Sequence, residues 1–182
     1  MPNAILDPTG RAAARTTSTN AARASRRVDL TSARIGLLEN TKQNAALLLT
    51  ELGKLLVAEH GASAVVLMRT KTAFAQPAPA ELIAEYAREC DVVITGVGDC
   101  GSCSASAVAD GILFEQAGLP AAVICSDAFV ATADAMAELR NAPGYAYVTT
   151  AHPVAILTEQ QVRDRAKDVL PGVIALLTAA GS

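Results

Sequence analysis

The chain has 182 residues, of which 51% are hydrophobic, 18% charged and 3% aromatic, and its formal net charge is −3. One domain has about this length, and so apolar a composition can bury a core, which excludes global disorder. The net negative charge and the scarcity of aromatic residues argue against a nucleic-acid-binding protein. No apolar run approaches the ~20 residues of a membrane-spanning helix, so no membrane association is expected.

Residues 1–28 differ in composition from the rest of the chain. Five arginines stand there against one acidic residue, Asp7, and the segment has neither a strand pattern nor the apolar run of a secretory signal. Its composition resembles that of an organellar transit peptide. We expect an N-terminal arm that wraps over its own domain or over a neighbouring subunit, and a solvated tail is the alternative. We also expect a homo-oligomer, in which the arm contacts the neighbouring subunit. Residues 29–182 are predicted to form the α/β domain.

From Asp29 onward, short apolar runs alternate with longer helical stretches. The apolar runs predict strands at 35–38, 64–68, 92–95, 121–124 and 145–148. The stretches between and after them predict helices at 43–60, 79–89, 104–117, 128–140 and 159–177. Because the strand runs are apolar throughout, they are typical of parallel strands covered on both faces. The pattern predicts a single doubly wound, flavodoxin- or Rossmann-like α/β domain with a mainly parallel five-stranded sheet.

In a sheet of this kind, ligands bind at the carboxyl ends of the strands, where the strand order reverses. For a flavodoxin-like order this point lies between the first and third strands, next to loops 39–42 and 96–103. From the first loop we expect Asn40 and Thr41 to bind the substrate. No Walker-type sequence is present and no Gly-x-Gly-x-x-Gly follows the first strand, so no bound cofactor is expected.

The second loop contains a Cys-Gly-Ser-Cys sequence at the predicted start of a helix. A helix N-terminus stabilises a thiolate, and two cysteines at this spacing can close a disulfide. We therefore predict that both sulfurs are accessible to solvent, that Cys100, the first to emerge from the strand, is the nucleophile and that Cys103 resolves the adduct. We expect the substrate to contact Gly98 and Gly101, because glycines allow close backbone approach. Ser102, between the two cysteines, is a further candidate for substrate binding.

The helix that follows this loop is expected to be capped by Ser102 or Ser104. Two polar residues further along it are also of interest: Asp110 could face the site, and Glu115 is expected to be solvated. Ser126, after the fourth strand, is interpreted as the N-cap of the next helix.

Several charged residues are candidates to assist the thiols. Asp99 places a carboxylate beside Cys100, which would raise the pKa of the thiol unless a cation offsets it, and Lys42 is the candidate cation. His152 follows the fifth strand and is a candidate for proton transfer. Lys71 begins a proline-rich loop, 71–79, that either covers the site with Lys71 reaching in or only links a strand to a helix.

A zinc site is a weaker alternative for the same edge of the sheet. Its ligands would be Cys100, Cys103, Cys125 and His152. Against it, the chain has no second pair of closely spaced ligands, and Cys125 ends an apolar run where a core thiol is expected. Cys90, at a helix end, is predicted to lie in the core.

The ordered set of motifs resembles the UGSC-type (seleno)protein family, whose members carry selenocysteine or cysteine at the first motif position. The resemblance rests on segments 99–103, 115–120, 152–153, 6–10, 40–42, 71 and 77–79. It implies nucleophilic or redox chemistry at Cys100, and roles for Asp7, Lys42, Lys71 and His152 by motif position. The cysteine pair, the Gly-Leu-Pro turn and the His-Pro pair are more distantly similar to the selenoprotein subunit of glycine, sarcosine and betaine reductases.

The leading hypothesis is a cytoplasmic thiol-dependent oxidoreductase that acts on a small anionic molecule and is re-reduced by an external thiol or a thioredoxin-like reductant. One alternative is a redox-neutral cysteine-dependent lyase, isomerase or hydrolase. Another is a redox-sensing module or a non-catalytic subunit of a larger complex, with a second enzyme subunit as its partner.

Overall fold

The structure is a computed structural model that describes residues 23–179. Its strands are β1 (Arg34–Glu39), β2 (Ala64–Thr70), β3 (Val92–Gly98), β4 (Ala121–Ser126) and β5 (Val148–Thr150). Its helices are α1 (Ala45–His60), α2 (Ala80–Glu89), α3 (Gly101–Gln116), α4 (Val130–Leu139) and α5 (Glu159–Leu177). A short 3-10 turn, Asp127–Phe129, precedes α4. No helix in the described part of the chain is long and apolar enough to cross a membrane.

The five strands form one all-parallel sheet in the order β2-β1-β3-β4-β5, which confirms the predicted fold class and strand order. Helices α1 and α5 pack together on one face, over a core that includes Leu48, Ile94 and Val173. Helices α2, α3 and α4 cover the other face, where Val93 and Phe114 lie in the core. The central strands β1, β3 and β4 are therefore buried on both faces, as their continuous apolar sequences predict.

The edge strands differ from the prediction. Strand β2 is largely exposed, with Val65 at 37% and Val66 at 44% relative exposure, because it has a neighbour on one side only. The last strand begins at Val148 and not at Tyr145. Tyr145 still belongs to the turn around Pro143 and Gly144, because its N–H donates to the carbonyl of Ala142. Both corrections concern strands whose positions in the sheet are not visible in a local apolar pattern.

The described part of the predicted arm, from residue 23, lies on the domain of its own chain. Arg26 makes a two-pronged ion pair with Glu115 near the end of α3, at 2.7 and 2.8 Å, and the N–H of Ala24 donates to the same carboxylate at 2.7 Å. Further along the arm, the backbone of Arg27 forms an isolated parallel β-bridge with Thr178, which follows α5. Glu115 is thus buried at 3% exposure, and the expectation that it is solvated is wrong, because the arm covers it. Asp7 and segment 6–10 lie outside the described residues.

Candidate active site

The loop after β1 is tied to the end of β3 by Asn40. Its backbone N–H donates to the carbonyl of Gly96 at 3.2 Å, and its side-chain Nδ2 donates to the carbonyl of Val97 at 2.9 Å. The side chain is 2% exposed, and its Oδ1 has no hydrogen-bond partner within residues 23–179. Next to it, Thr41 adopts a left-handed backbone with φ of 66° and is exposed. The two loops predicted to meet at the point of strand reversal do meet there.

Cys100 and Cys103 form a disulfide at the N-terminus of α3, with a Cα–Cα distance of 5.2 Å. Cys100 is the N-cap residue, and its Sγ accepts the backbone N–H of Cys103 at 3.3 Å. The prediction that Ser102 or Ser104 caps the helix is wrong, because both lie inside its first turn, where Ser104 donates its hydroxyl to the carbonyl of Cys100. A sulfur that caps a helix receives the N–H groups and the dipole that stabilise a thiolate.

The two sulfurs differ in their access to solvent. Cys100 is half-buried, and the exposed Ser102 places its Oγ 3.6 Å from the Cys100 Sγ. Cys103 is only 1% exposed, which corrects the expectation that both cysteines are accessible. The first turn of α3 packs directly on β3 and β4, and this close packing buries Cys103. A molecule from solvent can therefore meet Cys100 but not Cys103.

The carboxylate of Asp99 points away from its neighbour in sequence and binds the loop after β5. It accepts the N–H of Val154 at 3.0 Å and that of Ala155 at 2.9 Å, and it lies 3.0 Å from Nδ1 of His152. Burial of Asp99 acts to raise its pKa, but the hydrogen bonds from Ala155, Val154 and His152 outweigh burial and hold the pKa below its ordinary value. Asp99 is therefore a charged carboxylate that organises the His152 loop.

His152 is oriented by these contacts. Because a carboxylate can only accept, Nδ1 of His152 carries the proton that is donated to Asp99, which leaves Nε2 as the free basic atom of the neutral ring. Ser126 lies 3.2 Å from the same Nδ1 and donates its hydroxyl to the carbonyl of Gly98. The ring is 37% exposed and stacks edge-on against Phe129, with ring centroids 5.3 Å apart. His152 is thus a fixed imidazole with one nitrogen available.

Lys71 is buried at 4% exposure and does not project into solvent. Its Nζ donates to Ser106 Oγ at 2.6 Å and to Asp110 Oδ2 at 2.5 Å, both on α3. The backbone of the loop after β2 is held in the same place, since Ala78 donates its N–H to Asp110 and Gln76 accepts the Ser106 hydroxyl. Asp110 therefore faces the interior and holds the 71–79 loop against α3.

Lys42 lies half-buried in the loop after β1, at the predicted edge. Within residues 23–179 Lys42 makes no salt bridge, whereas Lys71 forms a buried salt bridge with Asp110. The role of Lys42 as the cation that offsets Asp99 remains a prediction. The N–H groups of Val154 and Ala155 already stabilise the charge of Asp99 by donating hydrogen bonds to it. Gly98 and Gly101 flank the disulfide at the end of β3 and the start of α3.

The zinc set is not assembled. Among residues 23–179, no group of three or more His, Cys, Asp or Glu side chains is placed to hold a metal ion. Cys125 is a core thiol whose pKa is raised to about 12 by burial, and burial also raises the pKa of Cys90 to about 11. Both positions agree with the interpretation of these two cysteines as core residues.

Sequence reasoning missed two features of the site. Ser126, interpreted as a helix N-cap, makes no cap bond and instead contacts His152. The N–H groups of Val154 and Ala155 hold Asp99, and only a His-Pro turn next to the sheet edge could have hinted at them.

Comparison with known proteins supports the family resemblance that the motifs indicate. A model of the UGSC family matches residues 4–179 of the chain. Searches of curated proteins and of solved structures found no significant match. The more distant similarity to the selenoprotein subunit of glycine, sarcosine and betaine reductases therefore stays a prediction. The match spans nearly the whole chain, and the chain belongs to the UGSC family.

Proposed function

We propose that this protein is a thiol-dependent oxidoreductase in which Cys100 attacks a small anionic molecule and Cys103 resolves the adduct. The observation that carries the proposal is the asymmetry of the pair, because Cys100 is half-buried while Cys103 is 1% exposed. Their disulfide-forming separation is the second requirement of such a pair. Membership of the UGSC family is compatible with this chemistry.

The proposed cycle balances as a two-electron reduction of the substrate. The Cys100 thiolate attacks an electrophilic atom X of a substrate X–Y, so that an S–X bond forms, the X–Y bond breaks and Y leaves with the bonding electron pair. Cys103 then attacks the Sγ of Cys100, which forms the disulfide and breaks the S–X bond, and X leaves with that pair. Both leaving groups take up a proton. An external dithiol of the thioredoxin-like class returns two electrons and two protons to the enzyme.

His152 is the proposed proton carrier of the first step: its Nε2 accepts the proton of the Cys100 thiol and then donates it to the first leaving group. Its Nδ1 is bound to Asp99 at 3.0 Å, so that proton exchange with the substrate falls to Nε2. The side chain of His152 is 37% exposed. His152 lies in the loop that Asp99 anchors, and Asp99 is the residue that precedes Cys100 in the chain.

Lys42 supports an anionic substrate. It makes no salt bridge within the described residues and lies in the loop that Asn40 ties to β3. A unit charge at ~6 Å in a water-like dielectric is worth ~0.7 kcal/mol, or about threefold in rate. Lys42→Met should therefore slow the attack on an anionic aromatic disulfide about threefold at low salt and leave the attack on a neutral dipyridyl disulfide unchanged. An equal effect on both reagents would contradict a substrate-charge role.

The cycle can be tested with the reduced protein and one equivalent of dithiobis(nitrobenzoate), an anionic aromatic disulfide. We expect a fast phase, in which Cys100 releases a first nitrothiobenzoate, and a second phase, in which Cys103 displaces the other. Cys103→Ser should stop after the first phase and carry the adduct as a stable mixed disulfide, visible as a mass increment on the peptide that contains Cys100.

Cys90→Ser is the matched control, because it changes a buried thiol outside the site and should leave both phases intact. If Cys103→Ser still released the second nitrothiobenzoate at the wild-type rate, Cys103 would not resolve the adduct. If the wild type showed no fast phase, the thiol would not be activated and the proposal would fail. A wild type that stops at the adduct would instead favour the redox-neutral alternative.

A further inference from the structure

The side chain of Asn44 is bound to the loop after β5, which contains His152. Its Nδ2 donates to the carbonyl of Leu157 at 2.9 Å and to that of Val154 at 3.0 Å. The carbonyl of Ala155 lies 3.4 Å from the same nitrogen. All three neighbours are acceptors, so the NH2 group of the amide must face them. A residue at the start of α1 thus binds a loop that begins 108 residues later and is contacted first at a separation of 110 residues.

The amide of Asn44 serves this loop and not its own helix. Asn44 is the N-cap residue of α1, but its side chain makes no capping hydrogen bond. Asparagine is favoured at N-caps because its side-chain oxygen accepts an N–H of the first turn. The backbone of Asn44 is left-handed, with φ of 68°, a conformation that is uncommon for residues other than glycine. Both features indicate that this position is occupied for the contact with the distant loop.

Asp99 holds the same segment from the other side. Its carboxylate accepts the N–H of Val154 at 3.0 Å and that of Ala155 at 2.9 Å. The carbonyls of these two residues face Asn44. The carboxylate also lies 3.0 Å from Nδ1 of His152. The position of the loop therefore decides whether the ring of His152 meets Asp99.

We propose that Asn44 positions His152 for proton transfer at Cys100, an inference that rests on the proposed function. Asn44 is a positioning residue, because it hydrogen-bonds to the loop and not to the ring. Without its amide, the carbonyls of the loop must turn toward water, and the contact between His152 and Asp99 loosens. The backbone N–H of His152 still donates to Asp127 at 3.0 Å, so the ring stays near the site and the loss is partial.

The two histidines of the chain allow a spectroscopic test that does not depend on activity. In two-bond ¹⁵N–¹H spectra of the reduced, ¹⁵N-labelled full chain, neutral His152 should show a ring protonated at Nδ1. Asn44→Gly keeps the left-handed backbone and removes only the amide, and it should add signals of the ring protonated at Nε2. His60 is the internal control, because it is exposed at the other end of α1, ~24 Å away along the helix.

Asn141→Gly is the matched control. Asn141 also has a left-handed backbone, with φ of 57°, and it is exposed after the end of α4. This variant should leave the spectra of both histidines unchanged. If Asn44→Gly does not fold, Asn44→Asp decides, because it keeps the shape of the side chain but places an acceptor opposite three carbonyls. A wild-type His152 spectrum in the folded variant overturns the inference.

The first phase of the reaction with dithiobis(nitrobenzoate) shows whether Asn44 acts through His152. His152→Gln should slow this phase about 100-fold, the lower end of the range for general acid–base groups, and Asn44→Gly should slow it about tenfold. When both substitutions are combined, Asn44→Gly should add less than about a twofold loss, because its effect requires the imidazole.

The other outcomes separate this inference from the proposed function. A further tenfold loss from Asn44→Gly in the protein without His152 would mean a general structural effect and would overturn the inference. An unchanged first phase in His152→Gln would overturn both the proton transfer by His152 and the role of Asn44 in it. A wild type without the fast first phase overturns the proposed function, whereas the His152 spectra still show whether Asn44 positions the ring.

Discussion

The end of β3 packs against the first turn of α3 at Gly98, and this contact positions the cysteine pair. A Cβ on Gly98 would lie 2.6 Å from Ser104 Oγ, 2.7 Å from Cys125 Sγ and 2.8 Å from Ser104 Cα. The Ser104 hydroxyl can rotate away. The Ser104 Cα belongs to the helical turn that contains Cys103, and Cys125 is fully buried in β4, so neither can move alone. Gly98→Ala must therefore push α3 away from the sheet.

The cost follows from the number of contacts that cannot relax. Overpacking a core by a methyl group costs ~1–3 kcal/mol, and two unrelieved contacts at Gly98 place this substitution near the upper end, at about 3 kcal/mol. For a chain of this size that corresponds to a melting temperature lower by about 6–12 °C. The displaced turn should also expose Cys103 to solvent.

Gly101→Ala is the matched control, because it adds the same methyl group on the other side of Cys100. Its nearest neighbours would be Thr132 Oγ1 at 3.8 Å and Thr132 Cγ2 at 4.0 Å, which is ordinary contact. In the first turn of a helix, alanine should be neutral or stabilise by up to ~1 kcal/mol. Urea unfolding of both variants under reducing conditions measures the difference. Equal midpoints for Gly98→Ala and the wild type would refute the packing argument.

Stability, acid sensitivity and thiol labelling test the remaining contacts. Glu115→Gln leaves Arg26 nearly buried without its counter-charge and should lower the free energy of unfolding by about 3 kcal/mol in urea. The lowered pKa of Asp99 means that its contribution is complete above the ordinary aspartate pKa of about 4 and is lost as the pH falls through the lower folded value. Asp99→Asn should therefore flatten the acid side of the stability curve. Iodoacetamide at neutral pH should spare Cys90 and Cys125 in the folded, reduced protein, and their labelling, read by mass spectrometry, would contradict their raised pKa values.

The fold was predictable because its strongest signal is local. Continuous apolar runs marked the strands, and β1, β3 and β4 are buried on both faces as such runs require. The same signal does not tell a central strand from an edge strand. For that reason β2 was predicted to be covered, although Val65 and Val66 are exposed. Position in a sheet depends on pairing between distant segments, which a short pattern does not contain.

The polar residues of α3 were harder to interpret for a related reason. Asp110 is expected from the sequence to face the site and Glu115 to be solvated, yet both are buried, because the helix is covered by the sheet, by α4, by the loop after β2 and by the arm. Their partners are far away in the chain: Lys71 is 39 residues from Asp110, and Arg26 is 89 residues from Glu115. Without those partners a buried carboxylate cannot be told from an exposed one.

The clearest case is Asp99, which adjacency in sequence places beside the nucleophile. Its charge was expected to oppose a thiolate at Cys100, but the carboxylate is turned toward the loop after β5, where the N–H groups of Val154 and Ala155 and the ring of His152 surround it. The sulfur of Cys100 receives the N–H of Cys103 at the end of a helix. A single acid thus holds the imidazole in one tautomer, while the helix N-terminus provides the positive field at the thiol. We therefore expect substitution of Asp99 to act on reactivity through His152, and not through the charge at Cys100.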